Sequence, residues 1–230
     1  MTAVWVTRTE PGASAMARYL RRACIQSSVA PLVQIQGIST VPPKETFDLA
    51  VYLSQHTALC IAVGDVVARR HMAIGPATER ALSFTGVSCE LPERFSSAGL
   101  LDMVSETLDP GSSVLIICGE GGITLFPERL RNLNYSVSVW RVYRRVQVSR
   151  KPRLERDCGL VELSSVTSMQ AYRKTVRRHA LVSTEEPYLV VPSRRVGKQG
   201  RLLGFARVHV AADASSRSFA RVIRRLFNGS

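Results

Sequence analysis

"AIGPATERALSFTG", residues 73–86, sets a Gly-Pro pair directly ahead of a helical pattern and a Gly directly behind it. Proline suits the first turn of a helix, where its missing N–H is not needed, and glycine suits the position just past the end. "HMAIG", residues 71–75, reads as a short strand leading in. The stretch is therefore strand, tight turn, helix. A helix start of this kind leaves backbone N–H groups without partners and carries partial positive charge, so a carboxylate or phosphate is its natural guest.

Working outward, the same alternation runs along the chain. "AVWVT" (3–7) reads as a strand, "GASAMARYLRR" (12–22) as a helix and "VAPLVQIQGI" (29–38) as a second strand. "VPPKET" (41–46) interrupts the pattern, because paired prolines sit in neither ladder nor helix. Beyond it "LAVYLS" is a strand, "ALCIAVGDVVARR" (58–70) is expected to be mostly helix, "PATERALSFTG" is a helix stopped by Gly86, and "VSCEL" (87–91) is a weak strand. "SAGLLDMVSETL", "SVLIICG", "LFPERLRNLN" and "YSVSVWRVYRRVQV" continue as helix, strand, helix and strand. "SRKPRLERDC" (149–158) is the second interruption, after which strand and helix alternate again to the amphipathic "SSRSFARVIRRLF". The plain reading of its apolar stripe is core packing. Strands alternating with helices predict parallel sheets covered by helices on both faces. The two parts also look alike: "YLSQHTALCIAV" parallels "ELSSVTSMQAYR", and "AIGPATERALSFTGVSCEL" parallels "VVPSRRVGKQGRLLGFARVHV", the mark of a duplicated module.

The composition narrows the function classes. The chain has 230 residues, 45% hydrophobic and 21% charged, enough for one large or two small cores. It holds no apolar run of about 18 residues and no signal-peptide core ahead of Arg8 and Pro11, so a membrane role is not expected and the cytoplasm is. Cys24, Cys60, Cys89, Cys118 and Cys158 stand far apart without a CxxC, which fits reduced, mostly buried thiols. The four histidines show no metal-ligand spacing, so no metal is expected. Charge is uneven: residues 1–140 carry 11 Lys/Arg against 12 Asp/Glu, net −1, and residues 141–230 carry 20 against 6, net +14. Such a surplus attracts anions, whether nucleic acid, lipid or a small polycarboxylate, or is simply a solvated basic surface.

Candidate ligand groups stand at the turns. Gly75 and Thr78 belong to the Gly-Pro helix start, and Ser193 leads the matching "PSRRVGKQG". Gly119 opens "GEGG", a strand-to-helix turn that lets the backbone approach an anion but lacks the Lys-Ser/Thr of a Walker loop. Ser54 in "LSQHT" and Ser165 in "LSSVTS" offer hydroxyls at strand ends, where open α/β sheets bind ligands, although Ser and Thr there also serve as helix N-caps. No nucleophile and base stand in a catalytic motif.

The ordered motifs "VTRTEPGASAMARYL", "IGPATERAL", "CGEGGITLFPERL" with "VWRVYRR", "VELSSVTS" and "VPSRRVGKQGRLLGFARVHVAADAS" resemble the uroporphyrinogen-III synthase family across nearly the whole chain. The resemblance implies two α/β domains of flavodoxin-like topology, the second inserted into the first and joined by a two-stranded connector. It puts residues 1–38 and 150–230 in one domain, 43–142 in the other, and connector strands at 36–43 and 143–150. Domains joined by only two segments are expected to move relative to each other. The implied reaction closes hydroxymethylbilane, a linear tetrapyrrole bearing acetates and propionates, into uroporphyrinogen III with inversion of its last pyrrole, a step of tetrapyrrole biosynthesis that needs no cofactor.

By the same resemblance, Tyr143 in "VYRR" matches the family's tyrosine that helps hydroxide leave. A phenol with an ordinary pKa near 10 is protonated at pH 7 and can donate to the departing oxygen. Arg8 in "VTR", Thr78 and Ser193 match family positions that hold the substrate. "YLSQHTAL" departs from the usual Thr-Ser-x-Asn-Ala turn at Ser54. A monomer, with at most transient contact to the preceding pathway enzyme, is expected. Two rivals stand beside this reading. A non-catalytic relative holding a tetrapyrrole or a partner would be indifferent to Tyr143→Phe. A basic nucleic-acid-binding protein would show a steep salt dependence, although no stacking or helix-turn-helix pattern supports it and no nucleic-acid partner is expected.

Overall fold

The computed structural model describes residues 3–62, 64–121, 125–179 and 186–228. In chain order its elements are β1 (Val4–Val6), α1 (Gly12–Arg22), β2 (Ser27–Val29), β3 (Val33–Gly37), β4 (Thr46–Tyr52), a 3₁₀ turn (Gln55–Leu59), β5 (Val67–Ala73), α2 (Pro76–Ser83) and α3 (Ser97–Thr107). Next come β6 (Ser113–Gly119), α4 (Leu125–Asn132), β7 (Ser136–Gln147), β8 (Leu160–Glu162), α5 (Val166–His179), β9 (Tyr188–Val191), α6 (Arg194–Leu202), β10 (Val208–Val210) and α7 (Ser216–Asn228). The chain forms two compact units, Met1–Gln34 with Val146–Ser230, and Ile35–Arg145. It passes from one to the other within β3 and again within β7.

The first unit holds a sheet ordered β10-β9-β8-β1-β2 with its strand pairs parallel. Its inner strands β1, β8 and β9 are apolar at nearly every position because both faces are covered. Trp5, Val161, Leu189 and Val191 point to one face, where Met169 and Tyr172 of α5 and Val196 of α6 pack. Val4, Val6, Leu160 and Val190 point to the other, against Met16 and Leu20 of α1 and Phe219 and Ile223 of α7. The alternation is the two-residue period of a strand. The apolar stripe of the last helix is thus core packing, and each such side chain contributes about 1.5–3 kcal/mol when fully buried.

The second unit holds a sheet ordered β3-β7-β6-β4-β5, with β4–β5, β4–β6 and β6–β7 parallel. Leu115, Ile117, Tyr52 and Val142 pack with Leu82 of α2 on one face. Leu49, Val51, Val114 and Ile116 pack with Leu100 and Val104 of α3 and Phe126 and Leu130 of α4 on the other. Parallel sheets covered by helices are what the alternating pattern predicts, and their flavodoxin-like strand order is what the family resemblance implies.

Three local expectations are corrected. Residues 58–70 are not a helix: the 3₁₀ turn ends at Leu59, Gly64 turns the chain at φ +88°, and Val67 begins β5. β-branched Val66 and Val67 lose little as strand and more as helix. Ladder pairing of β5 along the whole of β4 then decides the outcome. The expected strand 29–38 is two strands, split around Pro31, which has no N–H to give a ladder; β2 starts earlier, at Ser27, and β3 joins the other sheet. "VSCEL" makes only the bridge Met72–Glu90. Among the described residues no helix is long and apolar enough to cross a membrane, and no three His, Cys, Asp or Glu converge as for a metal ion. Cys118 and Cys158 are buried free thiols, whereas Cys24 is exposed.

Candidate active site

In both units the sequence-derived candidates fall at the carboxyl ends of parallel strands. In the second unit Ser54 follows β4, Gly75 follows β5, Gly119 ends β6, and Tyr143 lies level with Gly119 on β7. The chain leaves β4 toward β5 on one side and returns to β6 on the other, so Ser54 and Gly119 flank the topological switch point, the usual ligand position of such sheets.

Tyr143 and Gly119 make one construction. A Cβ on Gly119 would sit 2.4 Å from Cε2 and Cζ of Tyr143, so the tyrosine ring lies where a side chain of β6 would otherwise be. The Tyr143 carbonyl accepts from Glu120 N–H at 2.8 Å, at an irregularity of the β6–β7 register. Because neighbouring strands are about 4.8 Å apart, a ring laid across β6 reaches the end of β4. There it meets His56 of the 3₁₀ turn, edge to face, with centroids 5.7 Å apart. Tyr143 is 2% exposed. Arg145, on the same face of β7, donates from Nη2 to the phenol oxygen at 3.3 Å and sits 5.4 Å from the ring centroid.

His56 is 7% exposed and its Nδ1 is buried without a partner among the described residues. Burial, then the Arg145 charge, pushes its pKa down to about 4, so the imidazole is neutral at pH 7. Ser54 caps this turn, its hydroxyl accepting from His56 N–H at 3.3 Å and its carbonyl accepting from Thr57 Oγ1 at 2.7 Å. At the start of α2, Gly75 is extended, no side chain among the described residues caps the helix, and Thr78 is 4% exposed. The Phe95 side chain stands against Gly75, 3.3 Å from where a Cβ would be. α2 packs on the 3₁₀ turn, which keeps Gly75 and Thr78 near the Tyr143 cluster.

In the first unit Arg8 follows β1, Ser165 follows β8 and Ser193 follows β9. Arg8 is engaged internally. Its Nε donates to Glu162 Oε1 at 2.7 Å, its Nη1 to the Ala214 carbonyl at 2.9 Å, and its guanidinium lies 4.7 Å from the Phe219 ring centroid. Glu162 is 0% exposed; burial pushes its pKa up, while Arg8 opposes the shift. Arg8 Nη2 and Glu162 Oε2 are both buried without partners among the described residues. Ser165 Oγ accepts from Ser168 N–H at 3.1 Å, and Ser193 Oγ accepts from Val196 N–H at 3.4 Å, so both cap their helices.

Sequence reasoning overlooks His56, Arg145 and Glu162. Arg145 is marked only by its place two residues beyond Tyr143 on a strand, which puts both on one face. Glu162 is marked by being an acid inside an apolar strand. His56 carries no signal beyond the "SQHT" turn itself. Of the "GEGG" turn, residues 119–122, Gly122 lies outside the described residues, as do the two residues after it.

The profile of the family described as Uroporphyrinogen-III synthase HemD matches residues 14–220. Among solved structures, uroporphyrinogen-III synthetase from Helicobacter pylori is similar with a TM-score of 0.68 at 11% identity, over 98% of this chain and 100% of that one. A mutant uroporphyrinogen III synthase from Thermus thermophilus is similar with a TM-score of 0.54 at 13% identity, over 100% of each chain. At such identities the structural likeness is one of fold.

Proposed function

Because this chain belongs to the uroporphyrinogen-III synthase family, we propose that it closes hydroxymethylbilane into uroporphyrinogen III with Tyr143 as the group that helps the hydroxyl depart. The protein is accordingly a cyclising lyase of tetrapyrrole biosynthesis. In this reading the Tyr143 phenol donates to the leaving oxygen, which departs as water and leaves an azafulvenium cation beside the phenolate. The substituted carbon of the last pyrrole attacks, and the spiro intermediate opens and recloses inverted. The hydrogen lost from that pyrrole on reclosure restores the phenol proton. The substrate's own pyrroles supply the electrons, so the protein's task is holding the chain in the conformer that inverts, which is mostly positioning.

The observation that carries this reading is the Tyr143 ring fixed over Gly119 at the strand ends of the second unit. The uncapped start of α2, with Gly75 and Thr78, offers amide and hydroxyl donors to substrate carboxylates, and the Ser54 hydroxyl is a further donor of the same unit. We place the protein in the cytoplasm as a monomer that takes its labile substrate from the preceding enzyme through transient contact at most.

Purified protein given fresh hydroxymethylbilane should yield the type III isomer, and Tyr143→Phe should lower kcat about 10²–10⁴-fold, the span of general acid catalysis. Formation of only the spontaneous type I isomer by the wild-type protein would overturn the assignment.

A further inference from the structure

We infer that Arg145 is a positioning residue for ring closure, acting through the Tyr143 hydroxyl by occupying its oxygen as a donor so that the phenol proton is left for the substrate. The inference rests on the reading that Tyr143 donates to the departing oxygen.

Three observations carry it. First, the bond has one polarity. A guanidinium has only donors, so in the 3.3 Å contact the phenol oxygen accepts from Nη2. The hydroxyl must then send its own proton elsewhere. Among the described residues the Arg145 contact is the one hydrogen bond this hydroxyl makes. Second, the ring cannot turn away from this arrangement. It is walled by the Gly119 backbone on one side and by His56 edge to face. His56 is neutral, so it adds no second cation beside Arg145. Third, the arginine needs no other element to hold it in place. Residues 143 and 145 alternate to the same face of β7, and the guanidinium lies beside the ring it serves while its residue remains exposed. A donor that accepts from a cation is also polarised toward giving its proton, the usual cooperativity of linked hydrogen bonds.

The alternative role for an exposed arginine at this place is direct binding of a substrate carboxylate, and the two roles part in a double-mutant cycle. Arg145→Gln, Tyr143→Phe and the double variant are assayed for kcat and KM of type III formation, with melting temperature measured on each and Arg145→Met as a second replacement. Arg145→Gln should lower kcat about 10-fold, the worth of a hydrogen bond to a charged group, with little change in KM or melting temperature. In the Tyr143→Phe background the same change should do nothing further, because the oxygen it acts through is gone. Full additivity in the double variant, or a loss confined to KM and persisting without the phenol, would overturn the inference and leave the role of Tyr143 intact. A Tyr143→Phe protein with wild-type kcat would remove both.

Discussion

The two units are built on one plan and use their strand ends differently. At the switch point of the first, Arg8 and Glu162 form a buried ion pair closed further by the Ala214 carbonyl and the Phe219 ring, and the serines that come after the strands cap α5 and α6. At the switch point of the second, no buried ion pair occurs among the described residues; a neutral imidazole, a phenol and a glycine occupy the place, and α2 starts with no side-chain cap. In the first of the two paralleled segment pairs the likeness extends as far as Ser54 and Ser165, which stand alike after their strands, and in the second β5 leads into α2 as β9 leads into α6. Past these serines the units diverge, into a five-residue 3₁₀ turn in one and a 14-residue helix in the other. The short turn is what brings His56 onto Tyr143. The difference teaches that the first unit engages its strand-end arginine and serines in internal bonds, although Arg8 Nη2 and Glu162 Oε2 stay unpaired among the described residues, whereas the second holds a phenol whose proton has no acceptor among them and a helix start without a side-chain cap.

Four measurements would break or sharpen that contrast. Arg8→Met should cost about 3–5 kcal/mol in urea unfolding, because it strands a buried carboxylate. Replacing both partners, as Arg8→Met with Glu162→Leu, should recover most of that loss. A single variant as stable as wild type would mean the pair is not what holds this switch point.

In the second unit His56 predicts an acid effect. Its native pKa lies below that of the unfolded chain, so between pH 6.5 and about 4 the unfolded state takes a proton that the native state refuses. Stability should be full above pH 6.5 and fall as pH drops through that window, by at most about 3 kcal/mol. The groups facing His56 from β7 are Tyr143 and Arg145. His56→Phe keeps the edge contact and should flatten this part of the pH profile, whereas Glu162, common to both proteins, cancels in the comparison. Identical acid profiles would contradict the buried neutral imidazole.

Gly119→Ala should cost about 1–3 kcal/mol by overpacking and lower type III formation together with stability, since the Tyr143 ring must shift. An alanine variant with unchanged activity would show that the ring's place over β6 is unimportant. Smallest is Ser193→Ala, expected to cost about 1 kcal/mol as a lost N-cap. A large rise in KM without that stability loss would make Ser193 a ligand donor instead.

Legibility tracks the range of the interactions. The Gly-Pro helix start, the buried strands "SVLIICG" and "YLVV" and the amphipathic last helix rest on local pattern and are readable as such. Residues 58–70 are not, because their apolar spacing suits a helix until the pairing of β5 with β4 is available. Gly119 is readable as a turn glycine, but its purpose, room for a ring arriving from β7, belongs to another strand.

The sequence by itself determined the α/β alternation, the parallel sheets and, through its ordered motifs, the family, because periodicity and turn chemistry are properties of neighbours along the chain. Only the tertiary structure decided that Tyr143, Gly119, His56 and Arg145 form one cluster and that Arg8 is held by Glu162. Those contacts join residues on different strands, and only the strand order and register bring them together.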